Sequence, residues 1–280
     1  MTLVSIPRAR QLPTLASVDA ATLSDLIDSS SNAAENYCQR KFGLATYDEL
    51  LNGTNTRSLF VSNPPIVNLI GVRWGLNQAA TITNSTQNLE VATVEVGATA
   101  ITLRSTFNGT TTTTILAYGT YATFTTLAAA INALGNGWAC HISNQFANWS
   151  TADLAAYGVT YSARNLSCQL MIHWQYVNGY QVKASSGELF YSGGWTGGYQ
   201  AYRVKYTGGF ATVPPEVQEA VCELVQATYL ATKANPNMQS ETLDKYSYTK
   251  AATNGIANLS LASRQTLGYY KIHKAPFWRA

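Results

Sequence analysis

Between residues 74 and 200 the chain carries only seven charged side chains, Glu90, Glu95, Arg104, Asp153, Arg164, Lys183 and Glu188, while the other 26 lie in the two flanks. A composition shift this sharp on both sides predicts an insertion. One domain is expected from residues 1–73 plus 201–280, interrupted by a second domain, 74–200, of different character. The expected fold class is α+β: a small helical bundle with a short β element, interrupted by a β-rich insertion.

The deficit makes the whole chain 12% charged, against about 25% in an ordinary soluble domain. A membrane-spanning bundle would account for that, but no run approaches the roughly 18–20 apolar residues that a spanning helix needs. Hydrophobic content of 46% is enough to fill a core and excludes disorder as the main state. Pro7, Arg8, Arg10 and Pro13 interrupt any apolar run near the start, so a secretory leader is not expected and synthesis in a cytosol is. A net charge of +3 is too small to argue for nucleic-acid binding. Cys38, Cys140, Cys168 and Cys222 form no CxxC pair, so buried free thiols are expected rather than a zinc site or a disulfide framework.

In the first flank, Asp19 or Thr22 is placed to cap an amphipathic helix with Leu23, Leu26, Ile27, Ala33, Ala34 and Tyr37 on one face, running out near Gly43. Asn52-Gly53 reads as a tight turn, Leu59–Val61 as a strand, and Pro64-Pro65 as a break before an extended run from Ile66 to Trp74. In the centre, a hairpin is expected from Ile101 through Asn108-Gly109 to Leu116. Thr125 or Thr126 should cap a short helix over Leu127–Leu134, and a strand follows at Trp138–Ile142. Cys168–Val177 and Tyr180–Lys183 flank Asn178-Gly179, and aromatics alternate with glycine pairs from Glu188 to Phe210. In the second flank, Pro214-Pro215 opens a helix with Val217, Val221, Leu224 and Leu230 on its buried stripe. Tyr246 and Tyr248 suit a strand, and a short helix is expected from Ser260 to about Tyr270. Beyond Asp244 the chain has no acid, leaving Lys245, Lys250, Arg264, Lys271, Lys274 and Arg279 unopposed.

Raw material for catalysis is thin. GxSxG, HExxH and P-loop patterns do not occur, no cofactor or metal is implied, and no catalytic residue is assigned. His141 and His173 fall in expected strands and read as structural; His273 has no evident partner. Asp153 and Glu188 could serve as the two carboxylates of a glycosidase, with Trp149, Tyr191, Trp195 and Tyr199 stacking on sugar, but nothing in the sequence brings them together and ordinary surface acids are the preferred reading.

The first flank holds Glu35-Asn36-Tyr37-Cys38-Gln39-Arg40-Lys41-Phe42, then Tyr47-Asp48, Asn52-Gly53 and Leu59-Phe60-Val61-Ser62-Asn63-Pro64-Pro65-Ile66. The second holds Tyr206-Thr207-Gly208-Gly209-Phe210, Val213-Pro214-Pro215-Glu216, Ser240-Glu241-Thr242-Leu243 and Tyr246-Ser247-Tyr248. As an ordered set these stretches resemble the head-tail connector (adaptor) family of tailed bacteriophages. The unit from about Val91 to Asn144 is similar to a module inserted in some phage adaptors; the long insertion as a whole departs from the minimal family pattern. The resemblance implies a non-enzymatic structural protein of the virion neck, made in the host cytoplasm. It would form a homo-oligomeric ring, dodecameric to match the portal, that docks on the portal protein and extends the DNA channel toward a downstream tail or neck protein. Genomic DNA would pass through the lumen without sequence-specific binding, and no membrane is involved.

The C-terminal segment resembles the family's portal-binding arm, which makes Tyr269, Tyr270, Ile272, Lys274, Phe277, Trp278 and Arg279 its candidate contacts, since large aromatics contribute most when buried in a partner's pocket. Folding back onto its own domain is the competing reading of this segment, and Lys271, Lys274 and Arg279 could face DNA instead of acids on the portal. Tyr191, Trp195 and Tyr199 are candidate contacts for the tail or for neighbouring subunits. The alternative function is a carbohydrate-binding or glycan-degrading module of a phage tail.

Overall fold

The computed structural model describes residues 2–155, 160–233, 240–243, 246–249 and 259–271. Three hydrophobic cores are nested along the chain like brackets. The outermost is built from residues 3–42 and 213–267, the middle one from 59–72 and 189–206, and the innermost from 79–172.

The outer unit is helical. A short helix α1 (Ile6–Ala9) precedes α2 (Ala20–Cys38), which packs against α4 (Pro215–Lys233) and α5 (Leu261–Tyr269). Asp19 is the cap of α2: its carboxylate accepts from the backbone N–H groups of Ala21 and Thr22, an arrangement typically worth about 1 kcal/mol. Leu23, Ile27, Ala34 and Cys38 recur at helical spacing and are buried against Val217, Val221 and Leu224 of α4. Ser240–Leu243 and Tyr246–Thr249 pair as an antiparallel ribbon.

The middle unit is two sheets face to face. Strands β1 (Ala45–Gly53) and β12 (Gly198–Gly208) pair antiparallel, and β12 pairs with the first half of β3 (Ile66–Asn84). Against them lies a three-stranded sheet ordered β10 (Gln181–Lys183), β11 (Glu188–Trp195), β2 (Thr56–Phe60). Because paired residues share a face, Leu51, Glu49 and Tyr47 stand beside Tyr202, Val204 and Tyr206 on the inner side. Trp195 fills the space between the sheets: it is fully buried, edge-on to Tyr202 at 5.1 Å, and its indole N–H donates to the Leu189 carbonyl at 2.9 Å.

The inner unit continues the same long strand. The second half of β3 pairs with β7 (Trp138–Ile142) on one side and β9 (Cys168–Tyr176) on the other. Its core is closed by α3 (Phe124–Ala133) and by a four-stranded sheet ordered β6 (Thr110–Ala117), β5 (Ala100–Phe107), β4 (Leu89–Val96), β8 (Thr160–Ser162). The expected hairpin is present. Asn108 and Gly109, at φ 48° and 73°, make its two-residue turn, and positive φ at both positions matches the right-handed strand twist. The cap of α3 is Thr123 rather than Thr125 or Thr126; its side chain receives the Thr126 N–H while the Thr126 hydroxyl receives its own.

The expected fold class is overturned. The molecule is 42% strand and 29% helix, not a small helical bundle with a short β element. The extended run expected at Ile66–Trp74 is only the first half of a 19-residue strand, and β1 and β12 add nine and eleven residues of sheet within or across the flanks. The expected divisions at 73/74 and 200/201 fall inside β3 and β12. A strand that belongs to two cores, with polar Asn68, Asn77 and Gln78 along it, shows no composition break where one core ends and the next begins.

With Trp195 joining both sheets of the middle unit, Trp195→Ala should destabilise the protein by about 3–5 kcal/mol. Urea unfolding followed by circular dichroism measures this, and Trp195→Phe should lose clearly less.

Candidate functional site

The stretches that carry the family resemblance are spread from Glu35 to Tyr248 in sequence, yet several meet at one junction between the outer and middle units. Helix α2 ends where Gln39 turns left-handed at φ 55°, with the Arg40 N–H bonded back to the Glu35 carbonyl. Glu35 is buried; one carboxylate oxygen accepts from Lys41 Nζ at 2.6 Å and the other from the Phe42 N–H at 3.2 Å. Asn63 Oδ1 accepts from the Lys41 N–H at 2.8 Å. The Asn63 N–H in turn donates to the Tyr206 hydroxyl at 3.0 Å, which donates to Glu49 at 2.7 Å, and the other Glu49 oxygen accepts from the Ser62 N–H at 3.0 Å. One unbroken polar chain therefore runs from the helix end to the sheet.

The glycine pair at the end of β12 is dictated by closeness. A Cβ on Gly208 would lie 2.4 Å from the Asn63 carbonyl oxygen, and one on Gly209, at φ 99°, would lie 2.3 Å from that of Gly43. Their bareness lets the Gly209 N–H reach the Pro65 carbonyl at 3.0 Å and the Phe210 N–H reach Phe42 at 2.8 Å.

On this joint sits an aromatic box. The Arg40 guanidinium lies 5.2 Å from the Phe42 ring centre and 5.3 Å from that of Phe210, and Tyr270 stands edge-on to both rings. Arg40 also lines a cleft of about 300 Å³ with Glu35, Asn36, Gln39, Lys41, Ser62 and Asn63. Burial pulls the Arg40 pKa below its ordinary value, while burial and the adjacent Glu49 carboxylate push the Tyr206 phenol well above its own. Tyr206 is therefore a neutral donor and Arg40, as an arginine, remains a cation.

Helix α5 is fastened to the same unit. Glu223 of α4 receives the Ser260 N–H and hydroxyl and the Ser263 hydroxyl. Partial burial would raise its pKa, but these donors prevail and hold it below the ordinary carboxylate value. The Tyr270 hydroxyl donates to Glu216 at 2.5 Å, and Lys271 lies over the Tyr37 ring at 5.1 Å.

A second charged cluster fastens the inner unit to the middle sheet. Asp48 takes two hydrogen bonds from Arg203, at 2.7 and 2.8 Å, and the same guanidinium reaches the Ala152 and Leu154 carbonyls. Arg73 pairs with Asp153 at 2.8 Å and lies between the Trp149 and Tyr176 rings.

Of the expected contact residues, Tyr269 is 86% and Tyr199 70% exposed. One expectation is corrected: Trp195 is core, because its indole fills the space between two sheets. Tyr270 is half-buried, with its ring against Phe42 and Phe210. Tyr191 is half-buried against Trp195. Ile272, Lys274, Phe277, Trp278 and Arg279 lie outside the described residues, as does His273. Asp153 and Glu188 are not presented as a catalytic pair: one is held by Arg73 and the other by Ser58 in a different sheet. His173 is buried, bonded to the Gln200 carbonyl, and its pKa is lowered by burial. Among the described residues no three His, Cys, Asp or Glu side chains converge to hold a metal, and no helix is long and apolar enough to cross a membrane. All four cysteines are buried free thiols; burial pushes Cys140 up to about 12 and Cys38 and Cys168 up to about 11.

Sequence reasoning missed Asp48, Glu49, Arg73 and Arg203 as tertiary ties. The available signal was their location: charges inside expected strands, where an inward-facing one must find a partner. No protein-family model matches the chain, and a search of curated proteins returns no match.

Three outcomes follow from this geometry. Tyr206→Phe leaves Asn63 N–H and Glu49 short of a partner and should cost about 1–3 kcal/mol in a urea titration. A carboxylate whose folded pKa is depressed contributes stability above its unfolded value that is lost as pH falls. The seat of α5 should therefore loosen as pH drops below about 4.5, the ordinary value for Glu223. Amide exchange of residues 261–269 reads this out, and Glu223→Gln should flatten the dependence. With thiols this far from ionisation, the native protein at pH 8 should react with a thiol-specific disulfide reagent only at the rate at which it opens.

Proposed function

We propose that this chain is a subunit of a head-tail connector (adaptor) ring of a tailed bacteriophage, which docks on the portal and extends the DNA channel toward the tail. The observation that supports the reading is the convergence at one joint: Glu35 to Phe42, Ser62 to Pro65 and Tyr206 to Phe210, three of the stretches that carry the resemblance, interlock through Asn63, Tyr206 and the Gly208-Gly209 pair. Their function is mechanical, fixing the helices at a set angle to a rigid sheet.

The same joint roots the C-terminal segment. Helix α5 packs on α2 and α4, and Tyr270 and Lys271 are seated on Phe42, Phe210 and Tyr37. An arm leaving from Lys271 starts on a fixed base, with Tyr269 exposed beside it. The boundary of the arm therefore belongs after Tyr270, with Tyr270 part of the base.

The carbohydrate reading rested on the aromatic run around Trp195. Core packing accounts for that residue, so loss of polysaccharide retention on Trp195→Ala would report unfolding rather than lost stacking.

Mixing the full-length protein with assembled portal and imaging by electron microscopy tests the proposal. A ring stacked under the portal is expected, and a chain ended after Tyr270 should fold but fail to dock. Absence of any ring with the full-length protein would refute the connector reading. Undiminished docking of the shortened chain would refute the arm alone.

A further inference from the structure

The inner unit leaves one long sheet edge open, and we propose that it pairs with the same edge of a second copy of this chain. Strand β6 ends the order β6-β5-β4-β8 and pairs, among the described residues, only with β5. Other edges are treated differently. The outer edge of β7 is closed by Asn132, whose side chain accepts from the Cys140 N–H at 2.7 Å and donates to the Cys140 carbonyl at 3.2 Å. The outer edge of β9 is met by Leu154 and Ala155, the latter donating to Met171 at 2.8 Å. Strands β8 and β10 are three residues long, and β1 carries Asp48 and Glu49, which would repel in a self-pair. Strand β6 has eight residues, no charge, no proline and no bulge in its register, so it lacks the devices that keep edges apart.

Register says which groups are free. The two-residue turn makes Phe107 and Thr110 a hydrogen-bonded pair. The alternation then leaves the N–H and C=O of Thr111, Thr113 and Ile115 directed away from β5, while the Ala117 carbonyl is taken by the Thr120 and Tyr121 N–H groups.

The occupant follows from chemistry. An antiparallel self-pair centred on Thr112 sets threonine opposite threonine from Thr110 to Thr114, with no charge to oppose. The molecule already uses this contact: Thr106 Oγ1 and Thr111 Oγ1 lie 3.0 Å apart across β5 and β6. Two four-stranded sheets would become one of eight strands. Such an isologous contact closes at two copies, so it does not rest on the connector-ring reading, which needs a different, head-to-tail surface. In that register about five residues a side overlap, Thr110 to Thr114, far short of the roughly 1,200–2,000 Å² of a stable interface, so the dimer is weak and concentration-dependent.

Sedimentation equilibrium of the full chain without portal tests this. The average mass should rise from one subunit toward two as concentration increases to hundreds of micromolar, with the Thr111 and Thr113 amides gaining protection from exchange. Thr113→Pro removes an outward N–H without touching the β5 ladder, and Thr113→Lys sets two cations together; each should weaken association by about tenfold or more with unchanged circular dichroism. If the proline variant misfolds, the lysine variant decides. A wild-type mass that stays at one subunit, that grows past two, or that is matched by Thr113→Lys overturns the proposal.

Discussion

Strand β3 is the constraint on which the rest of the molecule depends. Its first half lies against β12 and contributes Ile66 and Val72 to the middle core; its second half lies between β7 and β9 and contributes Ala79, Ala80 and Ile82 to the inner one. Strand β9 pairs with β3 from Arg73 to Ile82, across the changeover, so the two cores are joined by sheet rather than by a linker. The ion pairs Asp48–Arg203 and Arg73–Asp153 then fasten the inner unit's loop to the sheet. Losing one partner of such a half-buried pair leaves the other desolvated and uncompensated.

The outer helices have no such shared strand and are fixed to the sheet by polar chemistry. Lys41 bonds to both Glu35 and Asn63, Asn63 to Tyr206 and Tyr206 to Glu49, and the bare backbone of Gly208 and Gly209 permits the approach. Each carboxylate oxygen of Glu35 and Glu49 is met by a donor, and burial keeps the Tyr206 phenol protonated. Tyr270 and Lys271, packed on Phe42, Phe210 and Tyr37, tie α5 to the same joint. The shortage of charge in the centre of the chain also gains a structural place. The outward face of the four-stranded sheet is wetted by threonine hydroxyls, and its edge strand carries no charge at all.

Much of the local structure was legible because short-range signals agreed with the final packing. Asp19 ahead of a three-four apolar stripe, Asn108-Gly109 between alternating strands, Trp138–Ile142 and Pro215 at the head of α4 all stand where period and cap chemistry place them. Cap choice failed by two residues at α3, since Thr123, Thr125 and Thr126 are equivalent locally and only the Trp149 and Ala147 carbonyls, which accept the Phe124 and Thr125 N–H groups, distinguish them. Fold class failed for a different reason: the amphipathic helices advertise themselves strongly, whereas β1, β3 and β12 mix polar and apolar residues and acquire their meaning only from neighbours distant in sequence.

The candidate site divides the same way. Sequence by itself determined the inventory: which residues cap, turn and alternate, that the centre must be wetted without charge, and which short stretches resemble one family. Tertiary structure decided which of them meet. Trp195 looks like a surface anchor in one dimension because large aromatics serve equally in cores and in interfaces, and only the opposing sheet says which. Glu49, Tyr206 and Asn63 look unrelated because hydrogen-bond partners are chosen by proximity in space, and that proximity is created by strands pairing across more than a hundred residues.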